Sequence, residues 1–212
     1  MGFNLNTTSK KQNNTFENIL NAAKAEFLEK GFRGASLRNI VKNANVTTGA
    51  FYGYFKSKED LFDALVSETA DFIMCEFNRI QTEFTYLSPD EQESGMGKIS
   101  KNSMFDWIDF IIDNSDVFKL ILKSSEGTRY ENFIHDMVTR EVQATHDFIK
   151  TLNRNGKNIP CPDENLEHIL ISGMFTAYFE IALHDMHKES AKKYVDDLSK
   201  FYIAGWTAIM GL

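Results

Sequence analysis

Residues 36–58 of this 212-residue chain carry the side chains best suited to meeting another molecule. Thr47, Thr48, Tyr52 and Tyr54 place four hydroxyls within eight positions, with Gly49 and Ala50 among them. Hydroxyls of this kind donate to phosphate oxygens, and small residues beside them let a polyanion approach the main chain closely. Arg38 lies a few positions upstream, and a guanidinium can grip a guanine edge or a phosphate. Lys58 follows Ser57 at the start of an apolar-periodic stretch, so a cation and a helix N-terminus coincide there. The chemistry is that of nucleic-acid contact. The same residues would also suit an ordinary solvated helix face.

Such groups need rigid elements beneath them. Phe16, Ile19, Leu20, Ala23 and Phe27 recur at helical spacing. Asn14 with Glu17 reads as a capping box opening that helix. Gly31 suits a helix end with positive φ. Ser36 caps a second helix whose inner face is Leu37, Ile40, Val41 and Ala44. Asn45 and Val46 make a tight turn, and Thr47 or Thr48 caps a third helix with Phe51 and Phe55 turned inward. The outer face of that third helix is then Thr47, Thr48, Gly49, Ala50, Tyr52 and Tyr54. This is a helix-turn-helix, whose second helix enters the DNA major groove by its N-terminal residues.

The run Ile19…Ala22-Ala23…Phe27…Gly31-Phe32…Ser36…Ile40…Ala44…Val46…Gly49…Phe51-Tyr52…Tyr54-Phe55…Ser57-Lys58-Glu59-Asp60-Leu61 resembles the N-terminal domain of TetR-family transcriptional regulators of the TetR/AcrR type, without a gap over residues 15–62. Val41 and Lys42 depart mildly from the family pattern, where alanine is common. The resemblance implies a homodimer whose two heads read a palindromic operator, and a helical body that binds a small effector and releases DNA. It implies phosphate contacts for Tyr52 and Lys58. It implies contacts to bases or nearby backbone for Arg38, Thr47, Thr48 and Ala50.

The net charge of −7 speaks against a polyanionic partner until it is mapped along the chain. Residues 1–66 hold nine Lys/Arg against six Asp/Glu, while the remainder holds 14 against 24. A basic head on an acidic body directs DNA to the head. Cys75 and Cys161 have neither a disulfide framework nor metal-ligand spacing, and a mid-helix Cys75 reads as a packing residue. The N-terminus carries no signal-peptide pattern, and Met1-Gly2 lacks the hydroxyl residue that myristoylation needs. A membrane-spanning helix needs an apolar run of about 18 residues or more, and none is read here. The expectation is a cytoplasmic protein that meets no membrane and has no cofactor or metal.

The body reads as helices throughout. Phe62, Val66, Thr69, Ile73, Phe77, Ile80 and Phe84 keep one helical face from the Ser57 cap onward. They predict a single helix of about 27 residues, which spans roughly 40 Å at the usual helical rise. Ser88–Gly95 reads as a loop. Helical patterns follow over 98–113, 115–124, 129–152, 163–187 and 190–210. The fold class is therefore all-α with about nine helices. Residues 1–57 form a helix-turn-helix DNA-binding domain, and residues 58–212 a ligand-binding and dimerisation domain.

Eighteen phenylalanines are many for this length. Aromatics at helical spacing usually build core. Collectively they can also line a cavity between helices. Phe72, Phe77, Phe105, Phe110, Phe118, Phe133, Met137 and Phe175 are the candidates for contacting an apolar or aromatic effector, with Asn132, His135 and His146 as polar candidates. Ile169, Gly173 and Ala177 on one C-terminal stripe, with Leu198, Phe201, Tyr202 and Trp206 on the next, suit a four-helix interface between two copies. The alternative is that both stripes complete the subunit's own core.

No phosphate-cradling glycine loop, zinc-protease helix or nucleophile elbow is present, and the chain reads as no enzyme. His184 and His187 on one helix end would be a two-ligand metal site or, more commonly, two solvated histidines. Three functions stand: a ligand-responsive repressor on double-stranded DNA, a helical protein-interaction module with a vestigial head, and a helical enzyme with an unrecognised site. Intact Arg38, Tyr52 and Lys58 favour the first.

Overall fold

The computed structural model describes residues 5–212, with side chains from residue 14 onward. The Met1-Gly2 terminus and the Lys10 and Lys11 side chains lie outside the described residues. Among the described residues every regular element is a helix: α1 (Leu5–Gly34), α2 (Leu37–Asn43), α3 (Thr48–Tyr52), α4 (Lys58–Thr85), α5 (Pro89–Asp106), α6 (Ile108–Asp113), α7 (Ser115–Lys123), α8 (Phe133–Arg154), α9 (Glu164–Leu183) and α10 (Lys188–Met210). The chain is all-α, as expected. Trp107 is the C-cap of α5 and the N-cap of α6, so those two elements form one bent helix.

The chain divides into two compact units. The first comprises the residues up to Ala70 with Lys119–Glu131, and the second Asp71–Phe118 with Asn132–Leu212. The helices α4 and α7 each run through a division point.

In the first unit, Gly31 breaks α1 at φ 68°, a conformation that costs glycine little. Phe27, Ile19, Ile40, Phe51, Leu61 and Phe62 are fully buried. Phe62 packs edge-to-face on Phe27 (5.1 Å) and on Phe32 (5.4 Å), which joins α1 to α4. Aromatic rings favour this geometry because the positive ring edge meets the negative face. The segment after α7 is fastened to this unit by polar contacts. The Phe32 N–H donates to the Ser124 carbonyl (2.8 Å), and Arg33 pairs with Glu126 (2.5 Å). The Tyr130 hydroxyl donates to Asp63 Oδ1 (2.6 Å), which also accepts from Arg129 Nε (2.8 Å).

The second unit is a helical bundle. Its interior includes Ile108, Ile111, Phe118, Met137, Tyr178, Phe179 and Ile181. The long α4 forms over 28 residues, as its spacing requires. Glycine packing brings α5 against α10, where a Cβ at Gly97 would meet Ile203 Cγ2 at 3.0 Å.

Four expectations need correction. Backbone helix begins at Leu5, so Asn14 lies within α1 rather than capping it. Ser88–Gly95 is no loop but the first turns of α5. Ser88 and Glu91 form a reciprocal capping box with Pro89 at the first helical position, the sequence signature of a helix start. Cys75 is exposed rather than packed. Finally, α9 is long and apolar enough to cross a membrane by length and composition. Its inner face packs in the bundle at Ile171, Phe175, Tyr178, Phe179 and Ala182, and the apolar residues beyond that face account for the excess.

Candidate nucleic-acid interface and interior cleft

The turn between α2 and α3 is set by backbone chemistry. Asn45 adopts φ 55°. Asparagine tolerates this left-handed region better than most residues, because its short polar side chain can bond locally. The Val46 N–H reaches the Val41 carbonyl (3.2 Å) and the Asn45 N–H that of Lys42 (3.1 Å). This pair of bonds is a Schellman termination of α2. The chain then enters α3 through Thr47, whose Oγ1 accepts from the Ala50 N–H (3.1 Å). Such a bond satisfies one of the donors that a helix start leaves unpaired. Fully buried Phe51 and nearly buried Phe55 pin the short helix inward.

Thr47, Thr48, Gly49 and Tyr52 are exposed in consequence, and Ala50 is half-buried. Tyr52 is 56% exposed, a large value for an aromatic ring in a packed motif. No packing demand explains Gly49, since a Cβ there would come no nearer than 4.0 Å to Thr47 Oγ1. Arg38 is exposed on α2, whereas Tyr54 is half-buried with its ring 5.9 Å from Phe16.

Two further side chains fix this face. Buried Glu26 accepts from the Ser36 N–H (3.0 Å) and from Asn39 Nδ2 (3.3 Å), holding the start of α2. Sequence reading missed it, because a glutamate on α1 shows no capping signal for a distant helix. Lys58, expected as a free cation, is half-buried and engaged. Its Nζ donates to the carbonyls of Phe32 (2.7 Å) and Ala35 (3.2 Å) and sits 4.5 Å from the Phe32 ring centroid. An ammonium has three donors, so one is left beyond these two bonds.

Residues 19–65 match the family model of bacterial regulatory proteins of the tetR family. Over these residues the head is similar to the tetR family of regulatory proteins. The chain is 31% identical over 113 residues to the Transposon Tn10 TetC protein of Escherichia coli, covering 53% of this chain and 52% of that one. It is 37% identical over 59 residues to the HTH-type transcriptional regulator UidR of Escherichia coli K12, covering 28% and 30%. The chain thus spans about half the length, or less, of these curated relatives. A transcriptional regulator from Aquifex aeolicus VF5 shares the fold over 89% of this chain and 99% of its own, with 23% identity and a TM-score of 0.54.

The second unit holds a cleft of about 900 Å³, part of it open to solvent. Of the eight aromatic and Met candidates, Phe77 and Phe175 line it. Phe118, Phe133 and Met137 are instead buried in packing. The Phe72 and Phe110 rings meet at a tilt with centroids 4.2 Å apart, and Phe105 lies near Lys101. The cleft wall also includes Phe84, Trp107, Phe148, Met174 and Tyr178. Among the polar candidates, His146 Nε2 bonds Glu167 (2.7 Å) and His135 lies against His168. Asn132 is the N-cap residue of α8 and makes no side-chain cap bond there.

On α9 and α10, Ile169 (65%) and Phe201 (71%) are the most exposed of the interface candidates, and Gly173 is exposed beside them. Ala177, Leu198, Tyr202 and Trp206 are half-buried. Gly173 serves a close approach within the chain, because a Cβ there would meet the Tyr202 hydroxyl at 3.1 Å. Among the described residues no group of three or more His, Cys, Asp or Glu is placed to hold a metal. His184 pairs with Glu180 (3.0 Å).

Proposed function

We propose that this protein is a ligand-responsive transcriptional regulator, a repressor that binds a palindromic operator as a homodimer and is released by a small apolar or aromatic molecule. The division of labour places DNA binding in residues 1–57 and effector binding and dimerisation in residues 58–212, in the cytoplasm where DNA is reached. The observation that carries this reading is the outward face of α3. A five-residue helix and its Thr47 cap expose Thr47, Thr48, Gly49 and Tyr52 together, with Arg38 exposed on the preceding helix.

In this reading Tyr52, Tyr54 and the remaining donor of Lys58 position the duplex through phosphates. Arg38, Thr48 and Ala50 meet the groove, with Gly49 allowing close approach and Thr47 both capping α3 and touching backbone. The exposed stripe Leu166, Ile169, Gly173 on α9 pairs with Phe201 and its neighbours on α10 across a two-fold axis. The cleft receives the effector, with Phe77 and Phe175 as its foreseen wall. Continuity of α4 through both units gives a mechanical link between effector and head.

Fluorescence anisotropy against DNA upstream of the protein's own gene tests the reading. Half-site centres should lie roughly 34–36 Å apart, and affinity should fall steeply with salt as counterions cease to be released. Binding that ignores salt, or accepts one half-site as readily as two, refutes it.

A further inference from the structure

The cleft in the second unit has a polarity of its own. Among the residues that line it, Glu141 is the one charged side chain, and no Lys, Arg or His is present. Several other polar groups there already direct their protons to the main chain: the Tyr178 hydroxyl donates to the Met104 carbonyl (2.7 Å) and Ser103 Oγ to that of Ile99 (2.9 Å). Gln81 Nε2 donates to Glu141 Oε2. The same lining carries the rings of Phe77, Phe84, Trp107, Phe148, Phe175 and Tyr178.

A second carboxylate adds to the negative field. Glu167 on α9 is fully buried. Its Oε2 bonds His146 Nε2 (2.7 Å), while its Oε1 is buried with no hydrogen-bond partner. An unmatched buried carboxylate oxygen is costly, and native proteins rarely keep one without a use. Burial, together with the charge of Glu167, pushes the Glu141 carboxyl above its ordinary range. An anion entering this space would meet the carboxyl of Glu141 and no basic side chain in the lining. A cation would meet a carboxylate and the faces of aromatic rings, both of which attract it most strongly when water is excluded.

We propose that the cleft takes an organic cation: an apolar or aromatic molecule bearing an ammonium or similar head that seats against Glu141 among the rings. The inference rests on the reading of the cleft as the ligand site and names the chemical class that site selects. Glu141 is the specificity-determining residue, and the aromatic wall supplies contact area.

Three compounds of one shape test it by equilibrium dialysis against the full-length protein: phenylbutyl-trimethylammonium, its neutral tert-butyl isostere, and phenylpentanoate. The ammonium compound should bind at least about tenfold more tightly than the isostere, since a desolvated cation–π contact is of that size. Phenylpentanoate should bind most weakly. Glu141→Gln should remove the preference for the cation while leaving the isostere's affinity in place, and Glu141→Asp should retain part of it. Equal binding of cation and isostere, or a preference that survives in Glu141→Gln, overturns the cation inference and leaves the cleft as a ligand site. If none of the three binds, the ligand-site reading falls with it. The wild-type comparison decides by itself should a variant not fold.

Discussion

Lys58 shows how one side chain can hold a fold and touch a partner. Two of its three donors tie the end of α1 to the start of α4, through the carbonyls of Phe32 and Ala35. Lys58→Ala should therefore lower stability by about 1–3 kcal/mol, the range for charged hydrogen bonds and the groups they leave unpaired. It should also reduce the salt slope of operator binding by about one unit if the third donor meets a phosphate. Urea denaturation reads the first effect and a salt titration the second. Lost stability with an unchanged slope would leave Lys58 a purely structural residue. Tyr52, more than half exposed, should behave differently: Tyr52→Phe should weaken all DNA sequences alike without altering stability. Thr48→Ala or Arg38→Ala should instead change which operator variants are preferred.

At the level of elements, the angle between α2 and α3 depends on one left-handed residue. Asn45→Ala should cost about 1–2 kcal/mol, because a Cβ without a compensating polar group disfavours positive φ. Asn45→Gly should be tolerated, and thermal unfolding of the two variants distinguishes this cause from loss of a side-chain contact. The C-terminal pair α9 and α10 presents the complementary case, in which a substitution should act on assembly rather than folding. Phe201 is 71% exposed, so Phe201→Glu costs a lone subunit little. Across a dimer interface it would bury an unpaired charge. Sedimentation should show a folded monomer with weak operator binding, since the second head is no longer tethered. A monomeric wild type would refute the interface outright.

Across the whole molecule, two linked equilibria can be measured. The first is protonation. The Glu141 carboxyl is raised by burial and then by Glu167, against the lowering effect of Gln81. A carboxyl held above its unfolded value binds its proton more tightly in the folded state. Its contribution is therefore fully present below the unfolded value and is lost as pH rises toward the folded one. Glu141→Gln should raise the melting temperature at neutral pH, and the gain should vanish on acidification through the ordinary carboxylate range. A gain that persists in acid would assign it to packing. The second equilibrium is effector against operator. Coupling on the usual scale of about 1–3 kcal/mol, or roughly 5–150-fold, should appear equally in both directions. A compound that binds equally well with and without operator occupies the body without acting on the head.

The head was legible in the sequence because its determinants are local. Caps at Ser36 and Thr47, the positive-φ positions Gly31 and Asn45, and the inward pairs Ile40–Val41 and Phe51–Phe55 each act within a few residues of themselves. The length of α4 was legible for the same reason, from an unbroken apolar period. Helix-start chemistry at Ser88 was equally local, but proline and acidic residues there also fit a loop. The tertiary structure alone decided which aromatics line space and which fill it. Phe77, Phe118 and Phe133 share the same helical spacing, yet of the three Phe77 faces the cleft, because helix packing and not periodicity sets which part of an apolar stripe meets a neighbour. The same holds for polar groups buried at a distance. The capping of α2 by Glu26, the grip of Lys58 on Phe32 and the proximity of Glu141 to Glu167 join residues far apart in the chain, so they exist only once the helices have packed.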